Sequence, residues 1–291
     1  MSRNRQFNGS DWADLIDKKM IEMGARLSDK KAKMRGLATG YVEIDRELQG
    51  IQKSDLIILA GRPSTGKTNL ALSIVEKIAL GIPNQAPRSV ALFSLETKSN
   101  SVISRMLSHH ARVSRLKLAA GTVDVEDYGK LQAAADVLRR APIYVEDAAC
   151  NINEICDRAL ELDRAHGIDF IVVDYLQLVN CAEFRTSGFL HEMAAICQVL
   201  KSMAKKMKIP VLVLSQLCRT SGAGNDVSGL IDQLQSTGLV KVADIVLLLR
   251  SPSRGDKIKK AGANRTAALD IVKNRHGPAG KVHSYLDHGA L

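Results

Sequence analysis

The chain lacks the features that mark secreted, membrane-spanning and zinc-binding proteins. Its 291 residues include only five cysteines, and none of them forms a Cys-x-x-Cys pair or a Cys/His cluster with zinc spacing. Scattered cysteines of this kind favour reduced thiols and a cytoplasmic location. No apolar run approaches the roughly 18 residues that a membrane-spanning helix needs, so we expect no membrane partner. Residues 1–11 are polar and lack the apolar core of a signal peptide.

Aromatic residues are also scarce, at 4% of the chain, so a platform of aromatic side chains for stacking bases is not expected. The charge balance is basic: 41 Lys and Arg residues against 31 Asp and Glu residues give a formal net charge of +10. This balance fits a polyanionic partner such as nucleic acid, held through its phosphates, but it also fits a merely soluble protein. Composition alone leaves both interpretations open.

One segment that is present identifies a ligand class. Residues 61–68 form a complete G-x-x-x-x-G-K-[ST] phosphate loop, between an apolar candidate strand at 56–60 and a segment of helical apolar spacing at 69–80. In that context backbone N–H groups and a helix N-terminus close around phosphates. We expect Lys67 to reach the β- and γ-phosphates of a nucleoside triphosphate and the Thr68 hydroxyl to bind Mg²⁺. The alternative is a glycine turn without a ligand. The predicted nucleotide-binding residues are Gly61, Arg62, Pro63, Ser64, Thr65, Gly66, Lys67 and Thr68.

From residue 38 onward the apolar pattern alternates between strand and helix. Most candidate strands are near-continuous apolar runs, as expected when helices cover both faces of a parallel sheet. The last two have no helix between them and are joined across 274–278, which predicts a hairpin or meander. The fold class is therefore α/β, a mostly parallel sheet flanked by helices with a C-terminal β-hairpin at the edge. The candidate strands are 55–60, 89–94, 143–146, 169–174, 210–215, 244–249, 266–272 and 281–286, and the candidate helices are 67–80, 98–110, 124–140, 152–166 and 189–207.

The first 37 residues have a different pattern. Residues 1–9 read as disordered, and residues 10–27 read as an amphipathic helix with Ser10 as its N-cap. A basic stretch follows the helix and reads as a linker. The helix can pack on its own domain or dock on a neighbouring subunit, and the sequence leaves both open. We therefore divide the chain into a tail with a helix, 1–37, and one domain, 38–291.

Three polar residues follow candidate strands and are expected at the carboxyl edge of the sheet, beside the phosphate loop. Asp174 ends an apolar strand, the Walker B arrangement, and would hold Mg²⁺ together with Thr68. Glu96 comes just after a strand and would orient and polarise the attacking water; the alternative is a helix-capping or surface carboxylate. Gln216 closes a strand, and its neutral amide would sense the γ-phosphate. The small polar segment after it, 218–230, reads as a mobile nucleic-acid contact or as an idle surface loop.

Two cations lie near the end of the chain. Lys273 and Arg275 are two residues apart at the end of a candidate strand, so their side chains are expected to point to one side. Such a pair on an edge hairpin suits the active site of a neighbouring subunit, where it would stabilise charge on the transferring phosphoryl group as an arginine finger does. The alternative is a solvated basic turn.

Five segments, taken in order, resemble the motor domain of DnaB-type replicative DNA helicases. They are residues 61–68, 93–96, 173–178, 214–217 and 273–278. Residues 39–41 and 54–56 are similar to the lead-in of that domain, and Arg105 falls where the family carries an arginine in the helix after the glutamate. The resemblance covers roughly residues 35–290. It is much more specific than the phosphate loop alone, because order and spacing both match.

The resemblance implies a RecA-like P-loop ATPase that uses ATP and Mg²⁺ and assembles as a hexamer around single-stranded DNA at a fork. It implies that Lys273 and Arg275 act in trans on the nucleotide of the neighbouring subunit. A helicase loader is a further implied partner, and the helix at 10–27 resembles the family's linker helix, which packs on the adjacent subunit. The residues implied to act in cis are Lys67, Thr68, Glu96, Asp174 and Gln216.

The chain departs from the family pattern in its DNA-facing and N-terminal parts. We expect no N-terminal collar domain, the part of the family that recruits primase. The family's Asp-Leu-Arg-Glu-Ser-Gly run, which contacts the DNA backbone, is replaced at 233–238 by Gln-Leu-Gln-Ser-Thr-Gly, without the Arg and the Glu. The loop after Gln216 looks shortened but keeps an arginine. The candidate DNA-binding residues are Arg219, Ser236 and Gly238.

The predicted function is an ATP-dependent DNA helicase or translocase. The alternative is a RecA-like ATPase that assembles with ATP but does not unwind DNA, as a regulator or recombination accessory, and the altered run at 233–238 motivates it. A small-molecule kinase shares the phosphate loop. A kinase is disfavoured because the sequence shows no recognisable lid or acceptor pocket. In a kinase the two C-terminal cations would also have no function.

Overall fold

The computed structural model describes residues 34, 36–149, 151–180, 189–217, 227–251 and 267–282, together with residues 12–13, 16–18 and 20–21. The chain divides into two compact units, residues 1–35 and 36–291. In the first unit the described residues at 12–13, 16–18 and 20–21 are helical, and their exposed apolar side chains are Trp12, Ile16, Met20 and Ile21. The assignment of residues 1–37 to a tail with a linker helix stays a prediction.

The described residues of the second unit form one eight-stranded sheet with the order β3-β2-β4-β5-β1-β6-β7-β8. Neighbours from β3 to β6 in that order pair in parallel, whereas β7 pairs antiparallel with both β6 and β8. The sheet confirms the predicted α/β class, and its antiparallel end confirms the predicted meander at the edge. The strands are β1 (Leu56–Gly61), β2 (Val90–Ser94), β3 (Ile143–Glu146), β4 (Phe170–Asp174), β5 (Val211–Gln216), β6 (Ile245–Arg250), β7 (Ala268–Asn274) and β8 (Gly280–Val282).

Strand β1 shows why the apolar runs become central strands. All of its residues are buried. Leu56, Ile58 and Ala60 pack in one hydrophobic cluster, and Ile57 and Leu59 pack in a second. Because successive side chains of a strand point to opposite faces, the two clusters lie on opposite faces of the sheet. Polar groups are therefore confined to the two ends of such a strand, and these ends are where a site can form.

The described α-helices range in length from four to nineteen residues. Five of them begin and end within two residues of the predicted helices, whereas α1, α4, α8 and α9 were not predicted. Among the described residues, no helix combines the length and the apolar composition needed to cross a bilayer. The helices are α1 (Val42–Leu48), α2 (Lys67–Leu80), α3 (Ser99–Ala111), α4 (Arg115–Ala120), α5 (Val125–Leu138), α6 (Ile152–His166), α7 (Phe189–Met207), α8 (Val227–Ser236) and α9 (Leu239–Val242), with a 3-10 helix at Leu176–Leu178.

Helix α8 corrects one prediction, because the segment 218–230 was interpreted as a mobile loop. Its last residues begin α8, which continues to Ser236. Leu230 and Leu234 lie four residues apart on the helix and are both buried in the first hydrophobic cluster. This apolar face anchors the helix in spite of the small polar residues at its start. Residues 218–226 lie outside the described residues.

A buried ion pair joins β6 to β7. The guanidinium Nε of Arg250 donates to Oδ2 of Asp270 at 2.5 Å, and one Nη donates to Oδ1 at 3.3 Å. Each side chain is only 6% exposed. A two-point pair of this kind compensates the desolvation of both charges, but only while both partners are present.

Asp270→Ala should therefore destabilise the protein strongly, by about 3–5 kcal/mol, because a buried guanidinium loses its carboxylate. Urea denaturation of the wild type and the variant measures the difference. Asp136→Ala is the matched control, since Asp136 pairs with Arg139 at 2.5 Å on the surface, with both side chains more than half exposed. That control should change the free energy of unfolding by less than about 1 kcal/mol. Equal losses in the two variants would contradict this account.

Candidate nucleotide-hydrolysis site

The phosphate loop connects the carboxyl end of β1 to the first turn of α2. Gly66 caps α2 with φ 93°, a left-handed conformation that favours glycine. Gly61 faces β6 so closely that a Cβ atom there would lie 2.4 Å from the carbonyl oxygen of Leu249. The hydroxyl of Thr65 donates to the carbonyl of Arg62 at 2.8 Å and closes the loop on itself. The two fixed glycines of the motif are thus required by the backbone path, and the loop presents a helix N-terminus suited to anions.

Lys67 lies inside this loop. Its ammonium donates to the carbonyl oxygens of Gly61 at 2.9 Å and of Arg62 at 2.8 Å. Burial lowers the pKa of Lys67 to about 8, although the charges of Asp174 and Glu96 act in the opposite direction. A triphosphate beside the ammonium would add negative charge and hold it in the protonated form.

Asp174 meets the loop from the end of β4. The pKa of its carboxyl group is raised to about 6, chiefly by burial. The charge of Glu96 contributes to the rise, while a hydrogen bond from Thr68 and the charges of Arg105 and Lys67 oppose it. The hydroxyl of Thr68 thus lies close enough to the carboxylate of Asp174 to lower its pKa. Oxygen ligands of this type suit Mg²⁺.

The Thr68 and Asp174 pair supplies only part of a metal's ligand set. Among the residues that the structure describes, no group of three or more His, Cys, Asp or Glu side chains could hold a metal ion. A Mg²⁺ ion here would complete its coordination with phosphate oxygens and water, as is usual for this ion.

Glu96 follows β2 and lies on the same edge of the sheet. Ser94 pairs in register with Asp174, and the Leu95 N–H donates to the Asp174 carbonyl at 2.8 Å. The Glu96 side chain is exposed, and its charge acts on the pKa values of both Lys67 and Asp174. The structure thus brings the predicted water-orienting carboxylate to the cation and the carboxylate of the phosphate site.

Gln216 completes the edge from β5. It pairs in register with Gly61, and the next residue, Leu217, donates its N–H to the Gly61 carbonyl at 3.1 Å. The side chain of Gln177 is hydrogen-bonded to the backbone of Gln216 on the opposite side. No role was predicted for Gln177 from the sequence, since nothing in its position along the chain indicates a contact with a residue 39 positions away.

The C-terminal cations lie at the other end of the strands. The ammonium of Lys273 donates to the carbonyls of Val240 and Ala243, both at 2.7 Å, at the end of α9. Arg275 donates to Oδ1 of Asp244 at 3.0 Å, and its side chain is 66% exposed. Asp244 precedes β6, which runs parallel to β1, so this cluster is about 16 Å, the length of β1, from the chain's own phosphate loop. Lys273 and Arg275 do not join the site formed by their own chain.

Known proteins match the part of the chain that contains this site. A model of the DnaB-like helicase C-terminal domain matches residues 36–289. The chain belongs to this family. Over 265 residues it is 34% identical to the replicative DNA helicase DnaB of Geobacillus stearothermophilus, a match that covers 90% of this chain and 56% of that protein. Over 306 residues it is 32% identical to DnaB of Rickettsia conorii, covering 94% and 62%. The chain therefore spans little more than half the length of the curated relatives it matches.

Solved structures support the same assignment. The ATPase domain of G40P superposes with a TM-score of 0.79 at 27% identity, and the match covers 97% of this chain and 98% of that one. A DnaB-like replicative helicase, studied for its interactions with primase, gives a TM-score of 0.72 at 26% identity over 94% of this chain and 64% of the other. These neighbours confirm the RecA-like fold that the DnaB-type motifs imply.

Three residues were predicted to contact DNA on the basis of the family's motifs. Arg219 lies outside the described residues. Ser236 ends α8, where its hydroxyl donates to the Gln233 carbonyl at 2.7 Å. Gly238 precedes α9 with φ 72°, and a Cβ atom there would meet only Ala194 at 3.7 Å. The described pair therefore forms a tight connection between two helices, and its contact with DNA stays a prediction.

The raised pKa of Asp174 predicts a pH-dependent cost to stability. Burial of Asp174 lowers the stability of the folded protein only when the carboxyl group is ionised. The cost is absent below about pH 4, the unfolded pKa, where the group is neutral in both states. It is fully present once the pH has risen through about 6, the folded pKa. Asp174→Asn should therefore stabilise the ligand-free protein at pH 8 by about 3 kcal/mol and much less at pH 4.5, since one pKa unit corresponds to about 1.4 kcal/mol. Urea denaturation of both proteins at both pH values tests this. A stabilisation at pH 8 no larger than that at pH 4.5, or a destabilisation at pH 8, would contradict it.

Proposed function

We propose that the chain is the ATP-hydrolysing motor of a replicative DNA helicase. The observation that carries the proposal is the convergence of five polar residues at the carboxyl ends of four strands. They are Lys67 and Thr68 after β1, Glu96 after β2, Asp174 at the end of β4 and Gln216 at the end of β5. Each has the chemistry that one part of phosphoryl transfer needs.

The proposed reaction is hydrolysis of the γ-phosphate of ATP. Lys67 and the loop amides would bind the phosphates, and Thr68 and Asp174 would hold Mg²⁺, which neutralises charge on the phosphate oxygens. Glu96 would orient a water molecule and accept its proton as the water oxygen attacks the γ-phosphorus. The bond to the β-phosphate oxygen then breaks, and ADP leaves with the electron pair.

Arg275 is proposed to act on the nucleotide of a neighbouring subunit. Its distance from its own phosphate loop excludes action in cis, and its exposed guanidinium is available at the surface. Lys273 is proposed to act with it, although its ammonium is bound to helix carbonyls in the isolated chain. A site completed by the next subunit requires an oligomer, and a ring hexamer is the assembly that we propose.

The proposed substrate is single-stranded DNA at a fork, with a helicase loader as partner because a closed ring cannot thread onto DNA without ends. The basic composition supports a phosphate-binding channel. Since both ATP and DNA are found there, the proposed location is the cytoplasm. A second candidate function is an ATPase that assembles without unwinding DNA, favoured by the loss of the Arg and Glu of the DNA-contacting run at 233–238.

The two functions differ in their response to DNA. A helicase motor should hydrolyse ATP at least about tenfold faster with single-stranded DNA and should separate a forked duplex in the same preparation. Lys67→Ala should abolish both activities, which excludes a contaminating ATPase. ATP-dependent assembly without DNA stimulation or strand separation would support the second function instead.

Mixing two inactive variants tests the shared site. Lys67→Ala removes the phosphate-loop cation and keeps the Arg275 finger, whereas Arg275→Ala does the reverse. Mixed rings should regain part of the ATPase activity, because one kind of interface combines an intact loop with an intact finger. Arg139→Ala, which changes an exposed arginine just after the last residue of α5, is the control and should keep full activity alone. No recovery at any mixing ratio, in subunits shown to co-assemble, would contradict action in trans.

A further inference from the structure

Strand β5 loses one of its two neighbours just before it reaches the phosphate site. On the side of β1 the pairing continues to the end, with Gly61 opposite Gln216. On the side of β4 the pairing stops at Val173 and Val213, because the chain turns away after Asp174. The last residues of β5 would therefore have unpaired backbone groups on that side.

The side chain of Gln177 fills this position. Its Oε1 accepts from the Gln216 N–H at 3.1 Å, and its Nε2 donates to the Gln216 carbonyl at 3.0 Å and to the Ser215 hydroxyl at 3.1 Å. The orientation of the amide is fixed by its partners, since one end faces a donor and the other faces an acceptor. An amide that both accepts and donates at one residue reproduces the pairing of a neighbouring strand.

We propose that Gln177 is a positioning residue for ATP hydrolysis, which holds the backbone of Gln216 at the phosphate site. The inference rests on the proposed function, in which Gln216 senses the γ-phosphate. Gln216 is held on one side by the phosphate loop, through the Leu217 N–H and the Gly61 carbonyl, and on the other by Gln177. Gln177 lies three residues after Asp174. The same short segment therefore carries the proposed metal-binding carboxylate and the side chain that holds the backbone of Gln216.

The side-chain amide of Gln177 would also couple Asp174 to the end of β5. A shift of Asp174 on binding or losing Mg²⁺ and the γ-phosphate would move the segment 174–178 and, through Gln177, the end of β5. The chain leaves β5 at Leu217 toward the segment that carries the candidate DNA contacts. Gln177 would thereby link the state of the nucleotide to the position of Gln216.

The test compares Gln177→Leu, which removes both hydrogen bonds, with Gln177→Glu, which keeps the shape and an acceptor but loses the donor. Each should lower kcat of the DNA-stimulated ATPase about tenfold, because a small displacement of a catalytic group has an effect of this size or larger. KM for ATP and the affinity for Mg-ADP should change by less than about twofold, since the groups that bind the phosphates are unchanged. Gln198→Leu, at an exposed glutamine of α7, is the control and should keep the wild-type kcat.

A double variant separates positioning from mere packing. If Gln177 acts through Gln216, Gln177→Leu should have no further effect in a Gln216→Ala background. The inference would be overturned if the losses of kcat in the two single variants multiply in the double variant. It would also be overturned by a normal kcat in Gln177→Glu, or by unfolding of both Gln177 variants. If Gln216→Ala itself keeps full turnover, the sensor role in the proposed function is wrong and the inference falls with it. A defective Gln216→Ala beside a fully active Gln177→Leu overturns the inference alone.

Discussion

The register of β1 between β5 and β6 is the constraint on which the rest of the structure depends. It places Gly61 opposite Gln216 on one side and opposite Leu249 on the other, so the phosphate loop begins between two other strand ends. A shift by one residue would turn the buried side chains of β1 to the wrong faces, and both hydrophobic clusters oppose such a shift. The geometry of the polar edge is therefore set by apolar packing in the middle of the sheet, and the glycine loop only completes it.

The two buried charges at this edge carry a desolvation cost in the ligand-free protein. Burial brings the pKa of Lys67 down to about 8 and that of Asp174 up to about 6, so each group is closer to neutrality than it would be in water. Close-packed surroundings that penalise both charges make the ionised pair a cost that the remaining fold must offset. In the proposed function, a triphosphate and a divalent cation would supply the opposite charges at the same places. Binding of Mg-ATP would then relieve a desolvation cost that the ligand-free protein carries.

The sequence predicted the central strands and the long helices closely, because a strand covered on both faces and a long amphipathic helix each leave a periodic apolar signature. It missed α1, α4 and α9, since seven, six and four residues are too few for a helical period. It missed α8 because Ser228 and Gly229 resemble a loop. The polar edge of the site was predictable from residues that end strands. The contacts of Gln177 and Arg275 were not, because both depend on segments that the fold brings together from more than 30 positions away.

Strand β1 also joins the two parts of the proposed shared site, the phosphate loop and the arginine finger. At its amino end the Leu56 N–H donates to the carboxylate of Asp244, which also binds Lys201 and Arg275. Burial raises the pKa of Asp244, but these hydrogen bonds and the lysine charge outweigh burial and hold the pKa below its usual range, so the carboxylate remains a charged anchor for the arginine. At its carboxyl end the strand becomes the phosphate loop. Strand β1 thus connects the phosphate loop at one end, through Leu56 and Asp244 at the other, to the arginine that is proposed to act on the nucleotide of a neighbouring subunit.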